Sequence, residues 1–158
     1  MIAPVAIANV AIVADHTEME VDTLARTLWG EARGEGEAGM IAVAAVVRNR
    51  VDISARLGGR HWWGHDWIGV CRARGQFASW NPGNPNRAKL LTVRGSDPDF
   101  RLAKRIAADA IAGRIDDPTY GATAYRVADQ PWPYTWGHFR LPLAEIGRHA
   151  FYNFAREP

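Results

Sequence analysis

Apolar positions recur with helical spacing through the first third of the chain. Val21, Leu24, Ala25, Leu28 and Ala32 follow the i, i+3, i+4, i+7, i+11 pattern of one helix face. Thr17-x-x-Glu20 reads as a capping box, so the pattern predicts a helix from near Glu18 to about Arg33. The stretch Met1 to Ala14 is apolar, has no basic start and is followed by Asp15, which predicts a strand or packing arm over about residues 1–16. Gly34, Gly36 and Gly39 break the regularity. A second helix is expected from about Ala38 to Val51, with Met40, Val43, Ala44, Val47 and Val51 inward. It is apolar nearly all round, which marks it as the central helix.

Residues 52–83 are rich in Gly, Arg and Trp and hold no sustained period. They read as a long irregular region with one short helix, and loops of that length are usually functional. A short helix is expected over Pro85 to Val93. Asp97-Pro98 supplies an N-cap and a first helical residue. The helix that follows should bury Phe100, Ala103, Ile106, Ala107, Ala110 and Ile111, and stop at Gly113. After Pro118 the pattern turns extended. Ala122 to Val127 and Glu145 to Phe154 read as two strands joined by a loop rich in Pro, Trp and Gly. The expectation is an α+β fold, mainly helical, with a small antiparallel sheet near the C-terminus.

Composition narrows this picture little. A chain of 158 residues is one domain by size and can bury a real core. With 47% hydrophobic and 23% charged residues it has the make-up of a soluble globular protein. A single cysteine, Cys71, excludes an intrachain disulfide and reads as a small buried apolar residue. The formal charge of +2 is spread along the chain, too weakly for a nucleic-acid partner. It suits an anionic polymer. No run of 18 apolar residues with proper flanks occurs, so no membrane insertion is expected.

The candidate chemistry centres on two acids. Glu31 is seven residues from Leu24 and so projects on the apolar stripe of the first helix, and Glu35 follows one turn later. A carboxylic acid among apolar and aromatic neighbours keeps its proton to higher pH, which is what a proton donor to a glycosidic oxygen requires. Acids near helix ends are also commonly solvated or paired, here with Arg33. Gly34-x-Gly36-x-x-Gly39 matches a dinucleotide fingerprint, but no strand precedes it and Glu35 and Glu37 would repel a pyrophosphate. Those glycines instead suggest close approach of backbone and substrate beside Glu31. His61, His65, Asp66 and Cys71 lack zinc-site spacing, and Cys71 with His138 or His149 has no thiol-protease motif. No metal or cofactor is expected. Seven Trp residues fall largely in expected loops, where they offer flat apolar platforms for a sugar. Gln76, Ser79 and Asn81 around Phe77 and Trp80 could hydrogen-bond its hydroxyl or N-acetyl groups.

Four blocks resemble the spore-cortex-lytic, SleB-like cell wall hydrolases. The first is Leu28-Trp29-Gly30-Glu31-Ala32-Arg33-Gly34-Glu35, followed by Ala42 to Val51. The second is Gln76-Phe77-Ala78-Ser79-Trp80-Asn81-Pro82, running on to Leu90. The third and fourth are Gly121 to Tyr125 and Ile146 to Tyr152, so the resemblance spans about residues 24–152. It implies a lysozyme-like domain that cleaves the peptidoglycan strand between N-acetylmuramic acid and N-acetylglucosamine. It also implies a lytic transglycosylase with Glu31 as its glutamate. Glu35 is the best second acid if the reaction is instead hydrolysis, which needs a second carboxylate about 5–5.5 Å or about 6.5–9.5 Å away. Trp29, Gln76, Phe77, Ser79, Trp80, Asn81, Thr123, Tyr125 and Trp132 are the expected substrate contacts. The chain departs from the family by placing Ala78 before Ser79, and Ala124 and Arg126 where histidines are usual. Pro131 to Pro142 looks longer than usual and brings Trp132, Tyr134 and Trp136 as further local contacts. A monomer acting on the bacterial wall is expected, of a phage endolysin type without its own clear signal peptide. A zinc amidase and a non-catalytic wall-binding module are the competing readings.

Overall fold

The computed structural model describes residues 4–59 and 61–154, with side chains from residue 15 onward. Five helices come first: α1 (Pro4–Ala32), α2 (Gly36–Arg56), α3 (Trp67–Arg72), α4 (Arg87–Thr92) and α5 (Pro98–Ile111). A three-stranded antiparallel sheet follows, with β1 (Ala124–Val127), β2 (Ala144–Ile146) and β3 (His149–Tyr152) in the order β1-β3-β2. The α+β expectation holds. Among the described residues no helix is long and apolar enough to cross a membrane.

The central position of α2 follows from its two apolar faces. Met40, Val43, Ala44 and Val47 pack into the main core with Leu24, Leu28 and Ala32 of α1 and Phe100, Ala103, Ile106 and Ala107 of α5. Ala42 and Val46 face the other way, against Ala122 and Phe151 of the sheet region. This one helix therefore joins the helical layer to the sheet. Cys71 lies buried in the main core, and burial pushes its thiol up to about 12.

Three expectations are corrected. The first helix begins at Pro4, not near Glu18, so residues 4–16 are helical rather than a strand or arm; residues 1–3 lie outside the described residues. Glu20 reaches back to His16 at 3.1 Å, a pairing one helical turn long. α2 runs on to Arg56, past the expected end at Val51; the one short helix expected within 52–83 is α3, and a short 3-10 turn, Ala78–Trp80, follows it. The stretch read as one strand over 145–154 is a hairpin. Gly147 takes a φ of +57°, and Ile146 pairs with His149 across a two-residue turn. Glycine at the first turn position is the preference of such hairpins.

The α5–β1 connection is fixed by one carboxylate. Asp117 accepts from Thr119 N (2.7 Å), Thr119 Oγ1 (2.6 Å), Gly121 N (2.8 Å) and Asn49 Nδ2 (2.9 Å). Burial alone would raise its pKa, but these donors outweigh it and hold the carboxyl below its ordinary value. Asp117→Ala leaves these donors unpaired and should cost about 2–4 kcal/mol in urea unfolding at pH 7. A depressed pKa contributes stability above the unfolded value and loses it as pH falls through the folded one. The mutational difference should therefore persist down to about pH 4 and shrink only below it.

Candidate active site

Glu31 sits in the last turn of α1 and is gripped from two distant segments. Ser79 Oγ donates to Glu31 Oε1 at 2.7 Å, and the Ser79 amide donates to the same oxygen at 3.3 Å. Tyr125 Oη donates to Oε2 at 2.9 Å. The 3-10 turn Ala78–Trp80 aims the serine, and β1, paired Tyr125 to Phe151, aims the tyrosine. Burial and then the Glu31 carboxylate raise the Tyr125 pKa well above its ordinary 10, so the phenol keeps its proton and stays a donor. Glu31 is thus a hydrogen-bonded acid at the junction of helices and sheet, not one set in bare hydrocarbon. Its carboxylate plane is fixed, and each oxygen has spare lone-pair capacity for a ligand.

Two cavities share Glu31, Ala78 and Tyr125 in their walls. The larger, about 760 Å³, is aromatic, with Trp62, Trp63, Phe77, Trp136 and Phe154 beside Arg50, Gln76 and Thr123. The smaller, about 420 Å³, is polar and charged, with Glu35, Asn84, Asn86, Arg126, Arg148 and His149. Together they make a cleft with the acid at its waist. A long polymer can lie across such a waist with its scissile bond at Glu31.

Glu35 is engaged elsewhere. Its Oε2 accepts from the Arg148 amide at 3.0 Å and its Oε1 from Arg148 Nε at 2.6 Å. These two bonds, the backbone one first, lower its pKa and keep it ionised. The backbone around it leaves no spare room: a Cβ at Gly39 or Gly147 would overlap the Glu35 side chain. Of the glycine cluster, Gly34 lines the polar cavity beside Glu31, while the other two serve the fold. Gly39 makes room for Glu35, and Gly36, at φ +69°, turns the chain into α2. Burial lowers the pKa of neighbouring His149, opposed by Glu35 and reinforced by Arg148, which leaves a neutral ring in the polar cavity wall.

The expected contacts divide. Gln76, Phe77, Ser79, Thr123 and Tyr125 line the cleft. Trp29, Trp80, Asn81 and Trp132 line neither cavity. Trp29 is a core residue stacked under Arg33 at 4.1 Å, and Trp80 donates to Thr27 Oγ1 at 2.9 Å. Asn81 closes the 3-10 turn through its amide, donated to Ala78 O at 3.0 Å. Trp132 packs edge-on against Trp136 at 5.5 Å and donates to Gly137 O. It supports the lining residue and does not line the cleft itself. Both positions that depart from the family pattern lie in the walls, Ala124 in the aromatic cavity and Arg126 in the polar one. Arg126 holds the turn after β1 by donating to Val127 O and Gln130 O. Trp62 lines the aromatic cavity as one of the loop tryptophans expected to offer platforms, whereas sequence reasoning missed Arg50, Asn84, Asn86 and Arg148 as cleft residues. Only Arg50 carried a signal, a charge on the buried stripe of an apolar helix.

A helical layer and a small sheet thus close on one carboxylate, Glu31, in an open cleft. Residues 34–152 match the profile of the family described as Cell Wall Hydrolase. The chain is 30% identical over 140 residues to a spore cortex-lytic enzyme of Halalkalibacterium halodurans, covering 89% of this chain and 36% of that protein. It thus spans about a third of that relative's length. The fold is similar to the catalytic domain of the germination-specific lytic transglycosylase SleB of Bacillus anthracis, with a TM-score of 0.61 and 27% identity over 84% of this chain and 92% of that one. The catalytic domain of Bacillus cereus SleB gives 0.60 and 27%, over 84% and 88%. The chain belongs to the cell wall hydrolase family.

Proposed function

We propose that this protein degrades peptidoglycan as a lytic transglycosylase, cleaving the glycan strand between N-acetylmuramic acid and N-acetylglucosamine with Glu31 as sole acid and base. The observation that carries this reading is the place of Glu31, at the waist of a cleft with one aromatic and one polar arm. The likeness to the SleB catalytic domains supports the reaction type. Protonated Glu31 gives its proton to the glycosidic oxygen as the bond to the muramic anomeric carbon breaks. The resulting carboxylate takes the proton of the muramic C6 hydroxyl, whose oxygen closes on that carbon as an anhydro ring. No water is consumed, and the acid returns to its starting form. Ser79 and Tyr125 hold the carboxyl in line throughout. Such acid–base help is worth roughly 10²–10⁴-fold.

Gln76, Phe77, Thr123 and Tyr125 contact the strand, while Trp29, Trp80, Asn81 and Trp132 support the walls. Glu35 has a positioning role: it pins the β2–β3 turn and so sets Arg148 and His149 in the polar arm. A hydrolase would need Glu35 to activate water. Glu35→Gln should therefore retain strand cleavage within about tenfold, with unchanged products and faster amide exchange at Arg148. A loss as deep as that of Glu31→Gln would make Glu35 the second acid.

A further inference from the structure

Arg50 is the cation in the wall of the aromatic cavity, and the mechanism leaves it unused. It projects from α2 and is 7% exposed. Its Nε donates to Thr123 O at 2.7 Å and its Nη1 to Gln76 Oε1 at 3.2 Å, both uncharged acceptors. Its guanidinium lies 5.5 Å from the ring centroids of Trp63 and Phe77. Among the described residues no carboxylate pairs with it, although ion pairs hold Arg26, Arg105, Arg114 and Arg148. Burial lowers its pKa to about 10, so it is still a cation at neutral pH. Arginine is almost never this buried without an anion, because losing hydration is costly. Two neutral acceptors and two ring faces compensate only part of that loss.

The missing anion has a place to come from. Arg50 forms part of the wall of the aromatic cavity, which opens onto Glu31. A volume of about 760 Å³ lies within the range of ligand sites. Trp62, 71% exposed, and Trp136, braced edge-on by Phe154 at 4.9 Å and Tyr152 at 5.5 Å, supply flat walls to the same space. An aromatic wall suits the apolar face of a sugar ring, and a desolvated guanidinium suits a carboxylate.

We propose that the aromatic cavity is a subsite for an amino sugar bearing a carboxylate, with Arg50 receiving the carboxylate and Trp62 and Trp136 receiving the ring. The proposal rests on the glycan reading of the cleft and adds the chemistry of one subsite. In peptidoglycan the group in question is a carboxylate of the stem peptide, or the lactyl carboxylate of a muramoyl residue whose stem has been removed. Arg50 is thus a specificity-determining residue, which distinguishes an acid-bearing strand from a neutral one of equal length.

The test uses Glu31→Gln protein, so that ligands bind without turnover, and isothermal titration. The probes are a tetrasaccharide alternating N-acetylglucosamine and muramic acid with free lactyl carboxylates, the same compound with those carboxylates amidated, and neutral tetra-N-acetylchitotetraose. The acidic compound should bind about tenfold to a hundredfold more tightly than either neutral one. Arg50→Gln should remove that difference, and Arg50→Lys should keep part of it, since lysine retains charge without the fork. Trp136→Ala should weaken all three probes alike. The amidated compound tests the proposal with Arg50 in place, whatever the Arg50 variants do to folding. Equal affinity for acidic and neutral probes overturns the Arg50 assignment and leaves the glycan reading standing. No binding of any probe overturns both.

Discussion

Glu31→Gln should abolish strand cleavage while leaving the fold intact. The substitution keeps size and shape but, in the proposed mechanism, removes the proton that leaves with the glycosidic oxygen. It also removes the base that would accept the C6 proton, so both halves of the reaction lose their catalyst. The expected loss is at least the roughly 10²–10⁴-fold assigned to positioned acid–base groups. The fold should survive because the Gln carbonyl oxygen can stand in for Oε1 and accept from Ser79, while its NH2 stands in for Oε2 and can donate to the Tyr125 hydroxyl oxygen. Glu31 belongs to neither buried apolar cluster. Matching circular dichroism and melting curves with no released fragments would bear this out, whereas near-normal release would remove Glu31 from the chemistry.

Gly30→Ala should be almost as damaging, though residue 30 offers only backbone to the wall of the polar cavity. A Cβ there would stand 2.7 Å from Ser79 Oγ, 2.9 Å from Ser79 Cβ and 2.9 Å from Leu90 Cδ1. Alanine gains up to about 1 kcal/mol in a helix interior, but overpacking costs about 1–3 kcal/mol, so packing wins. Leu90 is fully buried and Ser79 is 5% exposed, which leaves neither much room to retreat. The hydroxyl that moves is the one that aims Glu31. A misplacement of about 1 Å in such a group can cost about 10²-fold. We expect activity down by about that factor and a small drop in melting temperature, read by peptidoglycan digestion and calorimetry. Wild-type rates in this variant would show that the Ser79 contact does not position the acid.

What could be read from the chain follows the range of the interactions involved. Asp97 caps α5 by accepting from Phe100 N at 3.0 Å, and Gly113 follows the helix at φ +75°, both local signals with local causes. The periodic apolar runs placed α2 at the centre because burial on two sides demands residues such as Val46 and Val47 on opposite faces. The capping box at Thr17 misled because Glu20 can satisfy itself at His16 within a continuing helix. The Gly147 turn was written in the sequence, but the β-rich residues on either side concealed it. The site was less legible. Ser79 and Tyr125 lie 48 and 94 residues from Glu31, and no spacing rule joins them. Only the resemblance of separate blocks brought them into one list. Aromatic residues were the hardest to place: tryptophan serves core and cleft equally well, so Trp29 and Trp63 entered the core while Trp62 remained exposed.

The most direct test of the account is mass spectrometry of the fragments that the wild-type protein releases from purified peptidoglycan. Every new muramic end should carry an anhydro ring, because the C6 hydroxyl and not water completes the reaction at Glu31. Reducing muramic ends would contradict the account by requiring a water-activating second acid, and free stem peptides would contradict it by moving the cut off the glycan strand.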